Sequence, residues 1–125
     1  MNEPDKMAEW TKIIEFYNDL ITNYHWKQEP MLVLIEKLKT RNFWNHFFPS
    51  TSHEALGLST EYNYEARCEK SMVYIRYDSD NNEFIIHFQE GQGNTTKEKV
   101  CGTEISENEF KIIEEWLNKT TPTNA

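Results

Sequence analysis

The stretch from Ser71 to Glu90 constrains this chain most, because two runs of strict alternation flank a short polar turn. Val73, Ile75 and Tyr77 alternate with Met72, Tyr74 and Arg76, and Phe84, Ile86 and Phe88 alternate with Ile85, His87 and Gln89. A period of two is the signature of a β-strand with two different faces. The turn is Asp78-Ser79-Asp80-Asn81-Asn82. Closing the hairpin symmetrically on it pairs Tyr77 with Phe84, Ile75 with Ile86 and Val73 with Phe88 on one apolar side. The other side then pairs Tyr74 with His87 and Arg76 with Ile85.

The remaining segments supply helices to cover such a sheet. Met7, Trp10, Ile13, Ile14, Tyr17, Leu20, Ile21 and Tyr24 recur at steps of three and four, which predicts a long first helix. Pro4 lies near its first turn, and Asp5 and Glu9 suit the positive end of its dipole. After a link around His25 to Glu29, a second helix is expected from Pro30 through Met31, Leu34, Ile35 and Leu38 to about Arg41. The aromatic cluster from Phe43 to Phe48 ends at Pro49 and reads as a plug between the helical layer and the sheet, with Ser50-Thr51-Ser52 as a turn. Partial alternation through Leu56, Leu58 and Tyr62 predicts a strand within 54–64 that Gly57 weakens. Residues 91–97 read as a polar loop, and Lys99 to Ile105 as a further short strand carrying Cys101.

The last helix has a legible start, since Ser106-Glu107-Asn108-Glu109 has the spacing of a capping box. Phe110, Ile113, Trp116 and Leu117 form its apolar stripe, which leaves Glu107, Glu114 and Glu115 facing away. A length of 125 residues with 38% apolar content fills one core. These pieces predict one α+β domain over 1–125, with short flexible ends at 1–4 and 120–125. Two N-terminal helices precede a small antiparallel sheet centred on the 71–90 hairpin, and the C-terminal helix packs on that sheet.

Charge narrows the class of partner. Residues 1–49 hold seven acids and six bases, whereas residues 50–125 hold fourteen acids and seven bases, so nearly all of the formal charge of −8 sits in the second section. Such a surface repels a phosphate backbone and cannot release the counterions that drive nucleic-acid binding. The start of the chain has no basic and apolar leader, and the longest aliphatic run, Met31 to Ile35, is too short to span a membrane. A cytoplasmic protein without direct nucleic-acid or membrane partners is expected.

No catalytic, cofactor or metal motif emerges. Cys68 and Cys101 have no neighbouring Cys or His at ligand spacing, and read as two reduced thiols or, in an oxidising compartment, as a disulfide. Asp78-x-Asp80-x-Asn82 resembles the opening of a calcium loop, but Glu83 stands where a glycine must turn the chain and Gln89 where a bidentate glutamate is required. Of His25, His46, His53 and His87, only His53 adjoins a carboxylate, Glu54. The helical spacing of Trp10, Tyr17 and Trp116 assigns most aromatics to the core instead of to base-stacking platforms. Two candidate surfaces remain. Tyr74, Arg76 and His87 share one sheet face and form a possible polar pocket for an anion or for acid and base chemistry, as in a small enzyme or ligand-binding domain. Asp78, Asp80, Glu83, Glu90, Glu104, Glu107, Glu114 and Glu115 compose an anionic surface, either a solvated coat or a docking face for a cationic partner.

The layout of Met31-Leu32-Val33-Leu34-Ile35-Glu36-Lys37-Leu38, then Val73-Tyr74-Ile75-Arg76-Tyr77, then the capped helix at Ser106 resembles the small bacterial immunity proteins that neutralise polymorphic toxins, including those of contact-dependent growth inhibition. The resemblance implies a non-enzymatic inhibitor that binds a basic toxin, commonly a nuclease domain, and blocks its active site or a neighbouring surface. The group spans many folds and has no shared binding motif, so it assigns no residue. The eight acids are chosen on charge and expected exposure.

Overall fold

A computed structural model describes residues 5–91 and 93–119. The expected flexible ends, 1–4 and 120–125, lie outside the described residues. The elements run α1 (Lys6–Tyr24), α2 (Glu29–Thr40), α3 (Phe43–His46), β1 (Phe48–Ser52), β2 (Ala55–Ser59), α4 (Tyr64–Arg67), β3 (Ser71–Asp78), β4 (Glu83–Glu90), β5 (Thr95–Val100) and α5 (Glu107–Asn118). The strands form one antiparallel meander in the order β1-β2-β3-β4-β5. The fold is α+β, and α5 contacts β3 as expected of the last helix.

The hairpin closes in the register that symmetry required, with Tyr77 opposite Phe84, Ile75 opposite Ile86 and Val73 opposite Phe88. Its turn is held by local hydrogen bonds. The Asp78 carboxylate accepts from the Asp80 amide at 3.0 Å and from the Asn81 side chain at 2.9 Å, and Asn82 takes the left-handed conformation at φ 54°. The Asn81 bond and the nearby amides hold the Asp78 carboxyl below its usual range. The Asp-x-Asp-x-Asn pattern therefore serves the turn itself.

One sheet face carries Leu56, Leu58, Val73, Ile75, Phe84, Ile86 and Phe88 into a single core shared with α1, α2, α3 and α5. Trp10 stacks on Trp44 with ring centres 5.2 Å apart, and the Trp44 indole donates to the Ile35 carbonyl at 3.2 Å. The α1 stripe buries Trp10, Ile13 and Tyr17 but leaves Met7 and Tyr24 exposed. The reason is length: 19 residues of helix reach about 28 Å, whereas a strand of five residues like β1 reaches about 17 Å. Trp10 donates to the Phe47 carbonyl at 3.1 Å and Tyr17 to the Glu54 carbonyl at 2.7 Å, so α1 is tied down across β1 and overhangs it at both ends.

Two expectations change. Ser50 to Ser52 is part of β1, and the turn falls at His53, which is left-handed at φ 56°. Pro49 ends no element there because β1 is an edge strand, where a missing amide hydrogen is tolerated. The last strand starts at Thr95, four residues before the expected Lys99. It is polar from Thr95 to Lys99 because it forms the opposite edge, and its pairing continues past Val100 through Cys101 N–H to the Phe84 carbonyl at 2.7 Å. Gly57 also proves to be more than a weak point. A Cβ there would sit 2.6 Å from the Tyr74 ring and 2.5 Å from Ser50 Oγ, so the glycine lets the tyrosine lie across the β2 backbone.

Candidate functional site

The eight candidate acids separate into groups with different surroundings. Glu104 meets Lys37 at 3.4 Å, Glu90 meets Lys119 at 3.4 Å, and Glu107 pairs with Arg41. Two of these contacts join α2 and the residue after it to the start of α5 and the link before it, which makes the negative charge there part of how the helices are held together. Exposed pairs of this kind contribute about 0–1 kcal/mol each. Asp78 is occupied with its own turn. Asp80, Glu83, Glu114 and Glu115 make no ion pair among the described residues, and all but half-buried Glu83 are exposed. The structure thus places Asp80 and Glu83 together at the hairpin tip and Glu114 and Glu115 together on the outer side of α5. It does not merge the eight into one patch.

The start of α5 explains why its acids point outward. Ser106 Oγ accepts from the Glu109 amide at 3.2 Å while Glu109 Oε1 accepts from the Ser106 amide at 2.7 Å, the reciprocal capping box. Phe110, Ile113 and Leu117 are buried, and Trp116 is half-buried with its indole donating to the Gln89 carbonyl at 3.0 Å. Beneath the cap lies Cys101. Burial and the adjacent Glu109 carboxylate push its thiol up to about 12, so it stays protonated and unreactive. Burial alone would raise Glu109, but the Ser106 amide, the Cys101 thiol and Lys99 outweigh it and hold the carboxyl below its usual range. Cys68 is exposed, and both cysteines are free.

The second candidate surface lies on the face of the sheet opposite the core. Tyr74 stands across from His87 and Arg76 across from Ile85, in the expected register. Arg76 Nε lies 3.3 Å from His87 Nε2, and His87 Nδ1 lies 3.2 Å from the Glu98 carboxylate. An arginine Nε–H can only donate, so Nε2 accepts and Nδ1–H donates to Glu98. The result is a polar ladder across β3, β4 and β5 in which the ring nitrogen a general base would use is engaged by Arg76. Tyr74 is largely buried against Gly57. Sequence reasoning found Arg76 and His87 but missed Glu98, because the β4–β5 pairing that delivers it is interrupted by a bulge at Phe88/Gln89. His53 and Glu54 form the β1–β2 turn, where the Glu54 carbonyl, not its carboxylate, is engaged by Tyr17.

A third feature was not visible in the sequence. Between α2 and the link from β5 to α5 lies a groove of about 390 Å³ lined by Pro30, Val33, Leu34, Phe84 and Ile105, with Glu29 and Glu104 at its rim. Val33, which the helical pattern leaves unassigned, is 57% exposed there. No group of three or more His, Cys, Asp or Glu side chains among the described residues has the geometry of a metal site. No helix among them is long and apolar enough to cross a membrane. No family model, no curated protein and no solved structure matches this chain.

Proposed function

We propose that this protein binds a cationic protein in stoichiometric fashion and occludes it, and that the bound protein is a toxin, in the manner of the immunity proteins that the layout resembles. The observation that carries this reading is the sorting of the acids. Glu90, Glu104 and Glu107 are answered by cations of the same chain, whereas exposed Asp80, Glu114 and Glu115 and half-buried Glu83 make no ion pair among the described residues and stand on two rigid elements, a tight hairpin and a capped helix. Charges fixed on rigid elements steer a cationic partner into place and reject anionic ones. A nuclease domain fits, because a protein built to hold nucleic acid carries the complementary basic surface.

Titration calorimetry against a panel of catalytically inactivated nuclease toxin domains tests the proposal. The expected result is one-to-one binding to at least one domain, weakened by salt and weakened roughly tenfold or more when Asp80, Glu83, Glu114 and Glu115 are all changed to lysine. Absence of binding at low ionic strength, or binding indifferent to the four reversals, would overturn it. A second reading rests on the Arg76–His87–Glu98 ladder, which could hold a small anion once Arg76 turned outward. Loss of a measured ligand affinity or activity in Arg76→Ala, with every toxin domain unbound, would favour that reading.

A further inference from the structure

We propose that the groove between α2 and the β5–α5 link is where the cationic partner anchors, by inserting one or two apolar side chains flanked by lysine or arginine. This rests on the reading above and adds the place and chemistry of contact. The lining is apolar on both sides, with Pro30, Val33 and Leu34 from α2 and Phe84 and Ile105 opposite. Leu34, Phe84 and Ile105 are almost wholly buried, so the floor is a fixed part of the core, while Val33 stands 57% exposed at the mouth. The volume of about 390 Å³ lies at the small end of the roughly 300–1,000 Å³ typical of ligand sites. It admits a side chain or two, not a folded element.

The rim decides the occupant. Glu29 and Glu104, both exposed, line it. The lining cation, Lys37, is already turned to Glu104 at 3.4 Å, and Lys27 belongs to the adjoining depression beyond Glu29. An apolar well bordered by carboxylates matches a leucine or phenylalanine set among basic residues, since the well rewards desolvated apolar surface while the rim rewards positive charge and repels an acidic segment.

Nuclear magnetic resonance of the full ¹⁵N-labelled chain, titrated with short synthetic peptides, tests this directly. The probes are a basic peptide with a central leucine and phenylalanine, the same peptide with serines at those two positions, and an acidic peptide with the leucine and phenylalanine retained. The expected result is that only the first shifts the amides of Val33, Phe84 and residues 103–105 at millimolar concentration, with an affinity roughly tenfold above the serine peptide, a difference of about 1.4 kcal/mol. Val33→Ser and Glu29→Lys, both at exposed positions, each weaken it; Val33→Ser leaves the melting temperature in place, while Glu29→Lys, in the first turn of α2, lowers it slightly. Equal binding of the two basic peptides, shifts spread over all acids, or silence at the groove would overturn the proposal. The two proposals fail separately. A toxin domain that binds Val33→Ser as well as the parent removes the groove and keeps the function, whereas groove binding by the first peptide with no toxin domain bound keeps the groove and removes the toxin.

Discussion

The two faces of the sheet are made from the same strands, residue by residue, yet they hold together by different physics. Inward, Val73, Ile75, Ile86 and Phe88 are sealed by four helices and owe their energy to area and close packing. Outward, Arg76, His87 and Glu98 line up as a partly hydrated ladder whose contacts exchange for water at little net gain. Ile86 and His87 are sequence neighbours on opposite sides of this divide. The comparison teaches that the freedom is local: Met72, Tyr74, Ile85 and Gln89 share the outer face and are buried, so only the ladder positions are nearly free to vary.

The sharpest way to break that contrast is to truncate the neighbours in turn. Ile86→Ala removes buried methyl groups from a core with no room to relax and is expected to cost about 2–5 kcal/mol, whereas His87→Ala is expected to cost under about 1 kcal/mol; urea denaturation of both variants measures the difference. Near-equal losses would mean that the outer face is structural after all. Gly57→Ala comes next, since its new methyl group would meet the Tyr74 ring at 2.6 Å. A loss of about 1–3 kcal/mol is expected, and adding Tyr74→Ala should recover part of it in a double-mutant cycle. The smallest effect concerns the α5 cap. Because the Glu109 carboxyl is held below its usual range, its contribution is present at neutral pH and is lost as pH falls through the folded-state value. Denaturation curves from pH 7 down to about pH 3 should therefore show a shallower decline for Glu109→Gln than for the parent chain.

How much of this was readable from the chain depends on how local the cause is. The 71–90 register follows from alternation and a symmetric turn, and the α5 start from four residues, so both are found in the sequence as they stand in the structure. β1 escapes because Pro49-Ser50-Thr51-Ser52 has the composition of a turn and is made a strand by β2 on one side and by the Trp10 and Tyr17 anchors from α1. β5 is read late because an edge strand can be polar on both faces. The Lys37–Glu104 and Arg41–Glu107 pairs join residues more than sixty positions apart, and no spacing rule reaches that far. The groove exists only once α2 lies against the β5–α5 link, which is why Val33 carries no signal in the sequence beyond its hydrophobicity.

The edges of the meander have a consequence for the life of the protein in a crowded solution. An open antiparallel sheet offers two rows of unused backbone groups on which another copy could zip up. At one end the chain lashes α1 over β1 by an indole and a phenol bound to carbonyls on either side of that strand. At the other it places Lys97, Glu98 and Lys99 in succession on β5, so that an incoming strand would have to strip water from three charges before gaining its first hydrogen bond. The β5 edge is thereby fenced by charge, while β1 is braced at both of its ends by α1.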